Sequence, residues 1–180
     1  MPAGPVSDDA TETAITVREL RPGDVPDVAR AIVDSSVHHV GLEPERYEVL
    51  DPATVTARYA AGAQHPRGVP ANERASLVAE VDGRVVGILD VHVARPEGAH
   101  KPERYGFIEE LAVAEGARSR GVGAALLRAA EEWAREHACA YTALDYNARN
   151  DRAARFYRER MGYRPAGMIV IKDLREQPGG

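Results

Sequence analysis

The chain has 180 residues, of which 44% are hydrophobic and 28% charged, and a formal net charge of −5. That size and mix fit one soluble domain with a sizeable core, and the acidic balance argues against general nucleic-acid binding. The lone cysteine, Cys139, excludes an intrachain disulfide framework; with no apolar run of membrane-span length and no signal-peptide pattern at Met1–Pro5, a cytoplasmic protein without membrane contact is expected.

Residues 1–13 and 175–180 read as loose polar tails, leaving 14–174 as a single domain with no linker or repeat. Ile15 to Leu20 alternates as a half-buried strand does. Asp24 is placed to cap a helix with Pro26 in its first turn and Val28, Ile32 and Val33 on its apolar face. Asp51-Pro52 repeats that signature before Val55 and Tyr59. A loop over 62–74 leads to strands at Ser76–Val81 and Arg84–Ala94, joined by the hairpin dipeptide Asp82-Gly83. A polar loop over 95–104 precedes a strand from Gly106 to Val113.

A helix over about 120–136 follows. Val122, Leu126, Ala129 and Trp133 recur at spacings of four, three and four, predicting one apolar face. Arg128/Glu132 and Glu131/Arg135 are ion pairs on its wet side. Ala140–Leu144 is a strand, Asn150 opens a helix carrying Ala153, Phe156 and Tyr157, and Gly162 closes it. Tyr163–Leu174 supplies one or two final strands. The order β-α-α-β-β-β-α-β-α-β describes an α/β domain: antiparallel N-terminal strands, a parallel β-α-β crossover and flanking helices.

The segment Arg118-Ser119-Arg120-Gly121-Val122-Gly123-Ala124 stands between the Val113 strand and that long helix. Glycines and arginines at a helix start form an anion cradle, where outward N–H groups and the helix dipole favour negative charge. A Walker A loop would need Gly-Lys-Ser/Thr, and Ala124-Ala125 follows Gly123 instead. A dinucleotide turn is a nearer rival, because Asp145 lies 24 residues beyond Gly121. Against it stand Leu126 at the third small position, the long basic turn after Val113 and the lack of repeated βαβ units. Coenzyme A suits the segment better, with its diphosphate on the helix start and its 3′-phosphate near Arg118 and Arg120.

Arg118-x-x-Gly121-x-Gly123 resembles the signature of the GCN5-related N-acetyltransferases (GNAT). Upstream Leu111-Ala112-Val113 and downstream Asn150-x-x-Ala153-x-x-Phe156-Tyr157-x-x-x-x-Gly162-Tyr163 are similar to that family's other motifs, in order and spacing. The resemblance spans roughly 14–174 and implies a GNAT-like mixed sheet with direct acetyl transfer from acetyl-CoA to a primary amine. It implies that Leu111, Ala112 and Val113 line the cofactor arm, with the Val113 N–H on the thioester carbonyl. It further implies that Ser119, Val122 and Ala124 share the diphosphate turn, that Asn150 contacts the arm and that Tyr157 protonates the leaving sulfur.

An alkyl amine with a pKa near ~10.4 is almost wholly protonated at pH 7, so a base is needed. Related enzymes often carry an acid on the strand ending at Val113. Glu109 shares strand parity with Leu111 and Val113 and is favoured there, with Glu110 as substitute, since neighbours on a strand face opposite sides. Both glutamates have an alternative reading as a solvated charge and an amine-recognising group. Tyr157 could equally pack like Phe156, and Asn150 could merely cap its helix. His38-His39 read as paired surface histidines. Cys139 reads as a small buried residue without a triad, Trp133 as part of its helix's apolar face, and the histidines show no metal spacing. The acceptor, a small molecule or a protein amine, is not specified, and a homodimer is a family-level expectation. The rival readings are a non-catalytic acyl-CoA sensor on the same fold and a nicotinamide-dependent oxidoreductase.

Overall fold

A computed structural model describes residues 14–96, 98 and 103–172. The proposed tails, Leu174 and part of the 95–104 loop lie outside the described residues. The chain divides into two compact units, one through Asn147 and one from Ala148.

The first unit is built on a five-stranded sheet in the order β1-β2-β3-β4-β5. Its strands are β1 (Ile15–Glu19), β2 (Arg74–Val81), β3 (Arg84–Ala94), β4 (Tyr105–Val113) and β5 (Tyr141–Ala143). β1 to β4 pair antiparallel, and β4 pairs parallel with β5 through Tyr105–Phe107. Asp82 and Gly83 take φ values of 51° and 74°, as a tight primed hairpin turn requires.

Two helices cover one face of the sheet. α1 (Val25–Leu42) and α2 (Pro52–Ala60) bring Val28, Ile32, Val55 and Tyr59 against Val78, Ile88 and Ala112. The Asp51 side chain caps α2 through Thr54 N at 2.8 Å, as expected. Asp24 precedes α1 but does not cap it with its side chain. Its carboxylate instead accepts from Arg18 at 2.7 and 2.9 Å and from Arg21 N, because a charged guanidinium is the stronger donor.

α3 (Val122–Glu136) packs on the other face. Its buried residues are Val122, Ala124, Leu126, Leu127, Ala130 and Ala134, so the apolar face is rotated from the predicted one. Close approach explains the shift. A Cβ on Gly87 would stand 3.0 Å from Val122 and 3.1 Å from Leu126, and one on Gly106 would stand 3.1 Å from Ala134. Small residues therefore face the sheet, and half-buried Trp133 lies aside, stacked on His137 at 4.0 Å. Of the expected ion pairs, Glu131–Arg135 closes at 3.8 Å between a half-buried glutamate and an exposed arginine, worth a few tenths of a kcal/mol.

The second unit holds α4 (Asp151–Arg155), a π-helical turn over Phe156–Arg160 and Gly162 at φ 77°. The strands expected over 163–174 do not form within the described residues 163–172. Met168 to Ile171 has strand composition but is 67–87% exposed, and a strand requires a ladder partner as well as propensity.

Candidate active site

The register of β3 against β4 shifts between Asp90 and Val91. Asp90 faces Glu110, Val91 faces Ile108, and Glu109 is the extra residue of a β-bulge. This overturns the strand-parity expectation. Leu111 and Val113 share the α3 face with Leu89 and Gly87, whereas Glu110 is opposite Asp90 on the face covered by α2. The bulge turns Glu109 to that face too. Its Oε1 lies 3.6 Å from Nδ1 of His92, a 7%-exposed residue two positions after Asp90. An acidic pair, rather than one acid, therefore stands at the bulge.

Burial raises the Glu110 carboxyl to about 7, with the nearby Asp90 charge adding to the rise and Arg58 opposing it. Burial likewise raises Asp90 to about 6, against the hydrogen bonds from Ser76 and Tyr59. Tyr59, whose own hydroxyl is pushed far up by burial and by Asp90, donates to that carboxylate. Burial lowers the His92 imidazole, partly offset by Glu109. Tyr59, Ser76 and Asp90 were not singled out from the sequence, where Tyr59 reads as core. The available signal was Asp90 itself, one acid within the apolar run Ile88-Leu89-Asp90-Val91, which burial obliges to have partners.

The opposite edge of β4 is open. Ala114 N donates to Val86 O at 2.9 Å. Ladder alternation then makes Ala112/Ile88 and Glu110/Asp90 hydrogen-bonded pairs, while Leu111 and Val113 aim their peptide groups away from β3. β5 has paired with β4 only as far as Phe107, so the Val113 N–H faces a gap, while the Leu111 N–H on the same edge lies within hydrogen-bond reach of the Glu110 carboxyl. Ala112, 1% exposed, offers neither side chain nor peptide group to that gap.

The turn after β4 is braced from α1. Arg118 Nε donates to Val113 O at 3.1 Å and its Nη2 to Asp34 O at 2.8 Å, while Glu115 N donates to Asp34 Oδ2 at 2.9 Å. Arg118 is thus a brace, and Arg120 is the exposed cation of the segment. Ser119 and Gly121 have φ values of 65° and 90°, and the first α3 bond runs from Ala125 N to Gly121 O. The N–H groups of Val122, Gly123 and Ala124 therefore have no intrahelical acceptor, which is the nest an anionic diphosphate requires.

In the second unit, Asn150 Oδ1 caps α4 through Ala153 N at 2.9 Å and the residue is 9% exposed. Half-buried Tyr157 lies between the Phe156 and Tyr163 rings at 5.1 and 6.0 Å. The seven residues from Asn150 to Tyr157 are not two regular α turns, because Tyr157 enters the π turn closed by Met161 N on Phe156 O. His38 and His39 are half-buried instead of surface residues, and His39 stacks on Tyr47 at 5.1 Å. Burial raises the half-buried Cys139 thiol. Among the described residues, no group of three or more His, Cys, Asp or Glu is placed to hold a metal ion, and no helix is long and apolar enough to cross a membrane.

An antiparallel sheet opening into a parallel crossover, with a strand edge left by β5 running into a helix start that exposes its N–H groups, defines an acetyltransferase-type fold. Residues 42–163 match the acetyltransferase (GNAT) family, and the chain belongs to that family. A mutant of the BH1408 protein from Bacillus halodurans superposes with a TM-score of 0.76 at 22% identity, over 88% of this chain and 99% of that one. An acetyltransferase of Trypanosoma brucei gives 0.57 at 21% identity over 89% and 100%. The aminoglycoside N-acetyltransferase AAC(6')-Iy in complex with CoA gives 0.63 at 17% identity over 91% and 96%. No curated protein matches the sequence.

Proposed function

We propose that the protein is an acetyl-CoA-dependent N-acetyltransferase that transfers the acetyl group directly to a primary amine on a small molecule or protein. The observation that carries this reading is the freed Leu111–Val113 edge leading into the nest at Gly121. One supplies N–H donors for the pantetheine arm and the thioester carbonyl, and the other a seat for the diphosphate. CoA bound to the similar AAC(6')-Iy structure supports the choice of donor. Arg120 would meet a phosphate, and Asn150 the cofactor arm.

Glu110 is the base in this mechanism, because a carboxyl near pH 7 is matched to proton transfer at neutral pH. Glu109, held near His92, attracts the ammonium form of the acceptor. The ammonium gives one proton to Glu110, the neutral nitrogen forms the C–N bond, and the C–S bond breaks. The thiolate must gain a proton, a role that the family resemblance assigns to Tyr157, and the second proton leaving nitrogen restores that donor; one proton in total is released. Polycationic amines suit the acidic bulge, in keeping with the aminoglycoside acetyltransferase among the structural relatives.

Thermal melts with CoA and NAD(P), followed by CoA-thiol release from acetyl-CoA over an amine panel, test the reading. Protection by CoA and release with at least one amine are expected. Protection by NAD(P) alone would favour an oxidoreductase, and protection by CoA without release across the panel would favour a sensor.

The nest itself is tested by Gly121→Ala. At φ 90° a Cβ costs about 1–2 kcal/mol, and relieving that strain reorients the N–H groups. The variant is expected to fold with a lowered melting temperature and a several-fold weaker CoA affinity. Unchanged CoA affinity by calorimetry would remove the diphosphate from this turn.

A further inference from the structure

Asp90 is 1% exposed at the centre of β3. Ser76 Oγ donates to its Oδ1 at 2.5 Å, and the Tyr59 hydroxyl donates to its Oδ2. A serine hydroxyl has one proton, so Ser76 can only accept from Gln64 Nε2 and His65 Nε2, both at 3.1 Å. His65 is therefore the Nε2–H tautomer, in keeping with the burial that lowers it to about 4. Donors from β2 and α2 meet on one carboxylate, and the 62–74 loop holds the Ser76 hydroxyl behind them. They fix its orientation and favour its charged form.

Glu110 stands directly opposite in a hydrogen-bonded ladder pair, with Cβ atoms about 5 Å away. The other charged or titratable groups acting on it are Glu109 of its own strand and Arg58 of α2, with Tyr59 beside them on that helix. α1 adds apolar Val28 and Ile32 to this face. Two carboxyls held this close do not ionise independently. The one that receives two hydroxyl donors keeps the charge, and the proton resides on the other.

We propose that Asp90, clamped by Tyr59 and Ser76 opposite Glu110, is a positioning residue that sets the protonation of Glu110. The inference rests on Glu110 as the base of the proposed reaction, but its physical content, the coupling of two carboxyls, is measurable without turnover. Asp90 touches no substrate in this scheme and acts only through Glu110. Burial gives the larger part of the rise at Glu110, and the facing Asp90 charge adds to it.

The test is a carboxyl-carbon NMR titration of Glu110 in the full-length protein, paired with the pH profile of kcat/KM. In Asp90→Asn the Glu110 midpoint is expected to fall by about one unit, and the acid limb of the profile to move with it. Should Asp90→Asn fail to fold, Tyr59→Phe serves. Removing one donor makes Asp90 hold a proton more strongly, so Glu110 ionises at lower pH, with a smaller shift of the same sign. A purely structural Asp90 would lower the melting temperature and leave the Glu110 midpoint in place, and that result in the folded variant overturns the proposal. A midpoint that moves in a protein that acetylates no amine upholds the coupling and refutes the transfer reaction instead.

Discussion

Glu110→Gln is expected to lower kcat/KM by about 10²–10⁴-fold, and to gain in melting temperature relative to the wild type as pH rises from 5 to 8. The first effect follows from removing the base and leaving every contact of similar shape. The second follows from proton linkage. Glu110 is raised from an ordinary 4.5 to about 7 in the folded chain, so the native state binds this proton more tightly than the unfolded state does. Its favourable contribution is complete below pH 4.5 and is lost as pH climbs through 7. At pH 8 the wild type holds a half-buried, ionised Glu110 next to an ionised Asp90, a penalty on the order of 1–3 kcal/mol that glutamine does not incur. Paired melts of the two proteins at pH 5 and pH 8 measure it. A difference that stays flat with pH would mean Glu110 titrates as an ordinary glutamate.

Tyr157→Phe is expected to reduce kcat about 10²-fold, the lower end of the range for a lost general acid. The effect is modest for a chemical reason: a thiol titrating near ~8.5 is already a fair leaving group at neutral pH. The phenyl ring keeps the packing with Phe156 and Tyr163, so CoA affinity should change little. Turnover measured across pH 6–9 decides the matter, since an unchanged rate over the whole range would leave Tyr157 a packing residue. Restoration of the rate in the Tyr157→Phe variant by a thioester with a more acidic thiol would support the acid role specifically.

Much of the fold was legible because its signals are local. Asp51-Pro52 predicted the cap of α2, Asp82-Gly83 the hairpin, and the glycine turn the start of α3, each through backbone angles or capping donors that neighbouring residues control. The misreadings share a cause, which is dependence on a distant partner. The face of α3 is set by Gly87 and Gly106 on strands far away in the chain. Asp24 spends its carboxylate on Arg18, and Met168–Ile171, apolar enough for a strand, has no ladder in the described structure. The hold of Arg118 on the carbonyls of Val113 and Asp34 likewise depends on α1, distant in the chain.

The candidate site divides along the same line. The family, the order of elements and the glycine turn are written in short-range chemistry: a glycine that tolerates φ 90°, a helix start with three orphan N–H groups, and spaced motifs around them. One-residue irregularities in a long-range ladder do not leave such a trace. A bulge at Glu109 turned both glutamates to the α2 face, and the register beyond it set Glu110 against Asp90. The chain sequence therefore sufficed for the glycine turn and the helix start after it, which local backbone conformation forms. The acid–base side depends on pKa values, which arise from burial and from charges brought together across strands, and these exist only once the sheet has folded.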